Sequence, residues 1–373
     1  MEFRIDKEIF LKSLQKIQGI VEKRTSMPIL SNVLLEVTES ALHVTATDLE
    51  VGMKSIYPVE VVKTGKITVA AKKLYEIVKE LPNQMITFSK KDNDWVEIQC
   101  GKVRFNIVGL SSDEFPYFPS VKEESLFEIE SNLLKQMIEK TAYAICNDDT
   151  KYNLNGLFTK VETNNNGEQV LKMVATDGHR LSISSGNLKG SVGPELLKGV
   201  ILPKKGIFEL KKITDEDSGT LLFGFIENSA VIKRGDSYMV MRLVDGDFPD
   251  YNRVIPASND RVITVNKDIF THSVRRMAIL SSEKFKGIML EISESSIKIS
   301  SSNPELGDAM EEIDVIYGGE PLAVRFNARY LLDVLAVAET ESVEMKFKDE
   351  LSPSIIVPEK STSFLAVIMP MRL

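Results

Sequence analysis

Residues 171–181 read LKMVATDGHRL and bring Asp177, His179 and Arg180 within four positions. In one pocket, a carboxylate could orient an imidazole, the imidazole could move a proton, and a guanidinium could hold negative charge. That is hydrolase chemistry, and in a chain with only three histidines His179 would be its base. It requires a nucleophile, an oriented base and a charge stabiliser converging in one pocket. Whether they converge depends on the element that carries them.

That element recurs. LHVTATD occupies 42–48, LKMVATD 171–177 and IKISSSN 297–303, each with alternating apolar residues ending in small hydroxylated residues and then Asp or Asn. The pattern is a half-buried strand running into an Asx-type turn. Asp177 therefore has counterparts in Asp48 and Asn303, which marks it as a turn residue, and the catalytic reading fails. At the offset of Gly-His-Arg-Leu the other copies read LEVG and PELG, so only the second copy carries the histidine and arginine.

The flanks repeat as well. VTESALHV (37–44) and ISESSIKI (292–299) both read as hairpins turning at Glu-Ser. A strand and helix precede each copy, in MEFRIDKEIFLKSLQKI, LFEIESNLLKQMIEKTA and RVITVNKDIFTHSVRRMA. A second strand–helix unit follows, in KITVAAKKLYEIVKEL, GVILPKKGIFELKKI and LAVRFNARYLLDVLAVA. SSDEFPYFPSV (111–121) and VDGDFPDYNRVI (244–255) close two copies, and FLAVIMPMRL closes the third. Periods of about 120–130 residues are domain-sized, far longer than solenoid repeats. Three domains are expected, 1–122, 123–256 and 257–373, each with two helices and roughly eight short strands. Helices laid on antiparallel sheets make an α+β class.

The bulk numbers fit a soluble globular protein of several domains: 373 residues, 43% apolar and 27% charged. No apolar run approaches the ~20 residues of a membrane span, and the charged start MEFRIDKEIF is no signal peptide. No Gly-rich phosphate loop follows a predicted strand, and no metal-ligand spacing appears, so no cofactor or metal is expected. Cys100 and Cys146 read as small buried apolar residues of a cytoplasmic protein.

The net charge of −8 argues weakly against a nucleic-acid partner until its distribution is counted. The six predicted helices, 7–24, 72–81, 131–145, 203–213, 267–279 and 327–339, hold 18 basic and 9 acidic residues. Their net of +9 leaves −17 for the other 293 residues. In the first helix Phe10, Leu14, Ile17 and Val21 share one face, and Lys12, Lys16 and Lys23 share the opposite one. One such face is ordinary solubility. Repeated on an acidic protein, it suits a polyanion, contacted through its backbone without sequence reading.

The chain as a whole resembles the bacterial sliding clamps, the β subunits of DNA polymerase III. The resemblance is carried by KRTSMPILSNVLLEV (23–37), TATDLEVGM (45–53), NLNGLF (153–158), ATDGHRLS (175–182), DFPDYNRVIP (247–256), AILSSEKFKGIMLEIS (278–293), SSNPELGDAMEEIDV (301–315) and MPMRL (369–373). It implies the DNA clamp fold: three clamp domains per chain and a head-to-tail homodimeric ring whose helices face threaded double-stranded DNA. It implies a non-catalytic tether for the replicative polymerase, the clamp loader and other clamp-binding-motif proteins, with no membrane.

Carried over by position, the partner-peptide cleft takes Leu154, Thr176, Gly178, His179, Arg180, Leu181, Pro249, Arg253 and Val254 from the second domain. The third domain adds Leu351, Pro353, Val367, Met369, Pro370, Met371, Arg372 and Leu373. Arg180 and Arg253 are expected at the rim, holding peptide carbonyls or acidic side chains. DNA contact is expected from Arg24, Lys72, Lys73, Lys151, Tyr152, Lys204, Lys205, Arg275 and Arg329, and the protomer interface from Phe105, Ile107, Ile279 and Leu280. The loop CNDDTKYNLNG departs from the family: Asp148 and Asp149 would repel phosphate, and Asn153 stands where a second aromatic is usual. His43 is expected exposed on its strand, and His272 on the fifth helix either faces the hole or is structural. The competing readings are a hydrolase at Asp177 and His179, and a triplicated protein-interaction scaffold without DNA encirclement.

Overall fold

The computed structural model describes residues 1–22, 27–189, 192–216, 218–281 and 286–371. Arg24, Arg372 and Leu373 lie outside them. Among the described residues seven α-helices are formed: α1 Lys7–Ile17, α2 Ala71–Glu80, α3 Ser131–Thr141, α4 Pro194–Lys198, α5 Lys204–Asp215, α6 Lys267–Ile279 and α7 Ala328–Val337. Six are the expected ones; the five-residue α4 was not anticipated. The first helix is shorter than expected: it stops at Ile17, and the chain tightens into turns in which the Gln18 and Ile20 amides bond the carbonyls three residues back. Within the observed bounds the six long helices hold 16 basic and 8 acidic residues, so their positive balance survives.

The repeat is visible atom by atom. Asp6 caps α1 by accepting from the Glu8 and Ile9 amides, and Asn266 caps α6 by accepting from those of Asp268 and Ile269. Phe10 and Phe270 then occupy the same buried position on their helices. In the first copy the Phe3 and Phe88 rings stack at 5.0 Å, and Phe10 meets Phe3 edge-on at 6.1 Å. In the third copy Phe270, Phe326 and Phe347 sit in one apolar core with Ile299 and Leu331. The Glu-Ser hairpins match too: the amides of Thr38 and Ser293 each bond the carbonyl three residues on, at 2.9 Å.

The described residues form two compact units. The first comprises Met1–Ser131, Gly190–Gly193 and Phe208–Leu243, and the second Asn132–Lys189, Pro194–Ile207 and Val244–Leu373. Neighbouring copies share sheets, which is why three repeats do not appear as three separate bodies. In the first unit, Val51–Pro58 of the first copy pairs with Ser237–Arg242 of the second within a 13-stranded sheet. In the second unit, Arg180–Asn187 of the second copy pairs with Phe364–Ile368 of the third within an eight-stranded sheet. The four-stranded sheet of the third copy ends at Gly307–Asp314.

His43 corrects its expectation. It is half-buried, its Nδ1 has no hydrogen-bond partner among the described residues, and burial, then Lys54, lowers its pKa. His272 is exposed on α6. Both cysteines are buried, and burial pushes the Cys100 thiol up.

Candidate functional site

The turn at Asp177 is built by its own carboxylate. Oδ1 accepts from the amides of His179 at 2.9 Å and Arg180 at 3.1 Å. Asp48 does the same for Glu50 and Val51, and Asn303 for Glu305, so the Asx turn is common to all three copies. Thr176 Oγ1 accepts from the Gly178 amide and donates to the Arg180 carbonyl, tying the base of the turn. Gly178 has φ +90, a left-handed conformation that glycine adopts without a Cβ penalty. His179 is exposed, and its ring stacks on Tyr330 at 6.5 Å. Both Asp177 oxygens are engaged by its own turn and by Arg180, so this carboxylate organises the turn and not the imidazole.

Arg180 is the centre of the arrangement and is only 8% exposed. Its Nε donates to Asp177 Oδ2 at 3.0 Å, one terminal nitrogen to Asp333 Oδ2 at 2.5 Å, and the other to the Tyr143 carbonyl at 2.6 Å. The guanidinium carbon lies 4.5 Å from the Tyr330 ring centroid and 5.2 Å from that of Tyr143. Tyr143 Oη donates to Ser182 Oγ, which donates to the Lys140 carbonyl. Burial drives the Tyr143 phenol far above its usual range. Arg180 is therefore not the rim group expected from the sequence. Its guanidinium holds second-domain strand, α3 exit and third-domain α7 together.

Beside this network lies an apolar cluster of Val174, Leu181, Tyr251, Ile355, Val357 and Val367, with Val254 and Phe158 packed against it. Leu181 and Val367 face each other in register across the shared sheet. The Met369 amide bonds the His179 carbonyl at 2.9 Å, so the terminal segment leaves the sheet beside the turn. Met369, Pro370 and Met371 are half-buried, and the Met371 amide bonds the Arg325 carbonyl. Thr176, Gly178, His179, Arg180, Leu181, Val254, Val367 and Met369 are thus brought together. Pro249 and Leu351 are exposed, Pro353 and Leu154 half-buried, and Arg253 projects outward while its Nε pairs with Asp250 at 3.1 Å. Tyr143, Tyr330 and Asp333 were missed.

Comparison with known proteins decides the family. Models of the DNA polymerase III beta subunit match end to end, the N-terminal domain over residues 1–119, the central over 128–250 and the C-terminal over 252–372. The chain belongs to the DNA polymerase III beta-subunit family. The beta sliding clamp of Pseudomonas putida is 36% identical over 374 residues, and that of Escherichia coli K12 is 35% identical, each with 100% of both chains covered. The crystal structure of the Pseudomonas aeruginosa subunit superposes with a TM-score of 0.93 at 36% identity over 100% of both chains. A Bartonella birtlesii sliding clamp, solved bound to griselimycin, gives 0.95 at 33% identity over 100% of both. Within this family the chain is a non-catalytic sliding clamp of three clamp domains, and the scaffold alternative is not favoured.

On a clamp, the charged residues named above take on a definite context. Lys72 and Lys73 open α2 with exposed side chains that share Glu76 at 3.9 and 2.8 Å. Arg275 is exposed on α6, whereas its neighbour Arg276 is tied to Glu311. Arg329 projects from α7. Lys151 is exposed, Tyr152 packs over Gly246, and Lys204 donates to Asn147 Oδ1. Lys205 opens α5 beside it, half-buried and engaged with a neighbour. Asp148 and Asp149, expected to repel phosphate, spend oxygens on Thr150 and Asn155, so they brace the loop they burden. Among the described residues no helix is long and apolar enough to cross a membrane, and no cluster of three His, Cys, Asp or Glu could hold a metal.

The expected interface residues lie at two exposed places. Phe105 is 37% exposed on Val103–Leu110, with Ile107 half-buried beside it. Ile279, the last residue of α6, is 75% exposed and Leu280 is half-buried. Leu306 and Met310, near the outer strand of the third copy, are also exposed. Leu306 belongs to the third-copy PELG, where an exposed leucine stands at the position of the buried Arg180.

Proposed function

We propose that two copies of this clamp close head to tail around double-stranded DNA in the cytoplasm, with domain boundaries near 122 and 256. The basic helices face the duplex, and weak sequence-independent phosphate contacts leave the ring free to slide. Lys72, Lys73, Lys151, Tyr152, Lys204, Lys205, Arg275 and Arg329, together with Arg24, supply those contacts. The cleft at Leu181 and Val367 receives apolar anchors of peptides from the replicative polymerase, the clamp loader and other partners. Val254, Met369, Pro370 and Met371 line it, and Arg372 and Leu373 are assigned to it from the sequence; Leu154, Pro249, Leu351 and Pro353 form its margins. Arg253 takes the rim role alone.

The observation that carries the ring is an unfinished repeat. At each internal seam, the fourth strand of one copy pairs with the last strand of the next. The third copy's equivalent, Gly307–Asp314, has only one neighbour among the described residues. The first copy's last strand, Val103–Leu110, meets Gly65–Ala70 only at Gly109 and Leu110. Each open edge is the half of a seam that a second, head-to-tail copy completes, and such a contact closes after two subunits. Phe105, Ile107, Ile279 and Leu280 form its apolar part.

Loading onto nicked circular DNA with a clamp loader and ATP, followed by a single cut, tests the link. Retention on the circle and release from the linear form is the expected result. Equal retention on both would mean direct adhesion and would sink the ring. Deleting the last five residues, MPMRL, is expected to weaken a fluorescent partner peptide about tenfold or more while the dimer persists by light scattering. Unchanged affinity would remove that segment from the cleft.

A further inference from the structure

We infer that Asp333, on third-domain α7, is a positioning residue for the partner cleft: it holds Arg180, and through Arg180 the shape of the 177–180 turn. The inference rests on the cleft reading above. Asp333 Oδ2 is 2.5 Å from one terminal nitrogen of Arg180. The Arg180 Nε reaches Asp177 Oδ2, and the opposite oxygen of Asp177 receives the His179 and Arg180 amides. The chain of contacts thus runs from α7 through one buried guanidinium to the two amides that define the turn. The His179 carbonyl, at the end of that turn, accepts from Met369 of the terminal segment. Moving Arg180 would shift both walls of the cleft.

Of two simpler roles for Asp333, distance and exposure disfavour the first, and a control residue tests the second. It could merely balance Arg329 one helical turn away, but that nitrogen lies 3.9 Å off and is largely exposed, where pairing contributes little. It could be one of several struts joining third-domain residues to α3, like Glu339, which pairs with Lys140 at 2.9 Å. Glu339 is the informative control. It makes the same kind of tie between the same two domains and has no part in the turn.

The test compares Asp333→Asn with Glu339→Gln in the full-length dimer. Affinity is measured for a fluorescein-labelled clamp-binding peptide of a bacterial replicative polymerase, alongside hydrogen exchange of the 178–180 amides. Asp333→Asn is expected to weaken the peptide about tenfold and to speed exchange of the His179 and Arg180 amides by a similar factor. Glu339→Gln is expected to leave both within about twofold. Wild-type affinity in Asp333→Asn, or the same loss in both variants, overturns the positioning role. If wild-type protein fails to bind the peptide, the cleft reading itself is lost, which is a separate result. Should Asp333→Asn not fold, Asp333→Glu keeps the charge and displaces the carboxylate by one methylene. Weaker peptide binding at an unchanged melting temperature then supports the inference, and wild-type affinity overturns it.

Discussion

Ile279→Asp should give a protein that folds normally, sediments as a monomer and is no longer retained on circular DNA. Ile279 is 75% exposed at the end of α6, so its own domain gains little from its apolar surface. A substitution there should leave the melting of the isolated chain within about 0.5 kcal/mol of wild type. In the interface proposed above, the same side chain meets the apolar part of the partner's first domain. Losing its burial removes about 1.5–3 kcal/mol per contact, and placing an unpaired carboxylate there costs more again. The dimer constant should therefore rise by a factor on the order of a hundred or more. A ring has two such contacts, so the change acts twice on ring lifetime. Phe105→Asp should behave alike, less cleanly, because Phe105 is only 37% exposed and also packs within its own sheet. Sedimentation equilibrium decides the matter. A dimer as tight as wild type would return Ile279 to the ordinary solvent-facing residues and take it out of the interface.

Much of this was legible in one chain because the fold is written three times. Comparison of copies identified Asp177 as a turn former, since a catalytic acid has no reason to recur as Asp48 and Asn303. The Asx bonds then appeared at all three positions. What could not be read was the depth of Arg180. Its residue type and loop-tip position suggested a rim, and nothing nearby in sequence supplies its partners. Asp333 lies 153 positions away on another domain. A trace of it was present in the charge count. The last helix was the one segment of the six with more acid than base, holding Asp333 and Glu339. Both acids proved to be spent on second-domain cations, Arg180 and Lys140. His43 escaped for a related reason: alternation places it on the outer face, but it cannot show what covers that face. The first helix is shorter than its apolar period, which continues to Val21, because the backbone leaves the helical ladder after Ile17 and tightens into turns.

Arg180→Ala separates the two roles this residue could play. A rim arginine that only touches the peptide would cost affinity and leave stability unchanged, because its free donors would return to water. The arginine found here is buried, with its three donor nitrogens bound inside the protein. Removing it leaves Asp177 and Asp333, both largely shielded, facing each other without the cation between them. Breaking a buried ionic network from one side costs about 3–5 kcal/mol, so the second unit should melt measurably earlier. The turn that Asp177 organises should loosen at the same time, weakening the partner peptide by about tenfold or more. Arg180→Lys should recover little of either, since an ammonium cannot reproduce three bonds in a fixed plane against Asp177, Asp333 and the Tyr143 carbonyl. Differential scanning calorimetry and peptide anisotropy on the same samples give both quantities. Affinity lost with the melting temperature unchanged would put Arg180 back at the rim; stability lost with affinity intact would detach the network from the cleft.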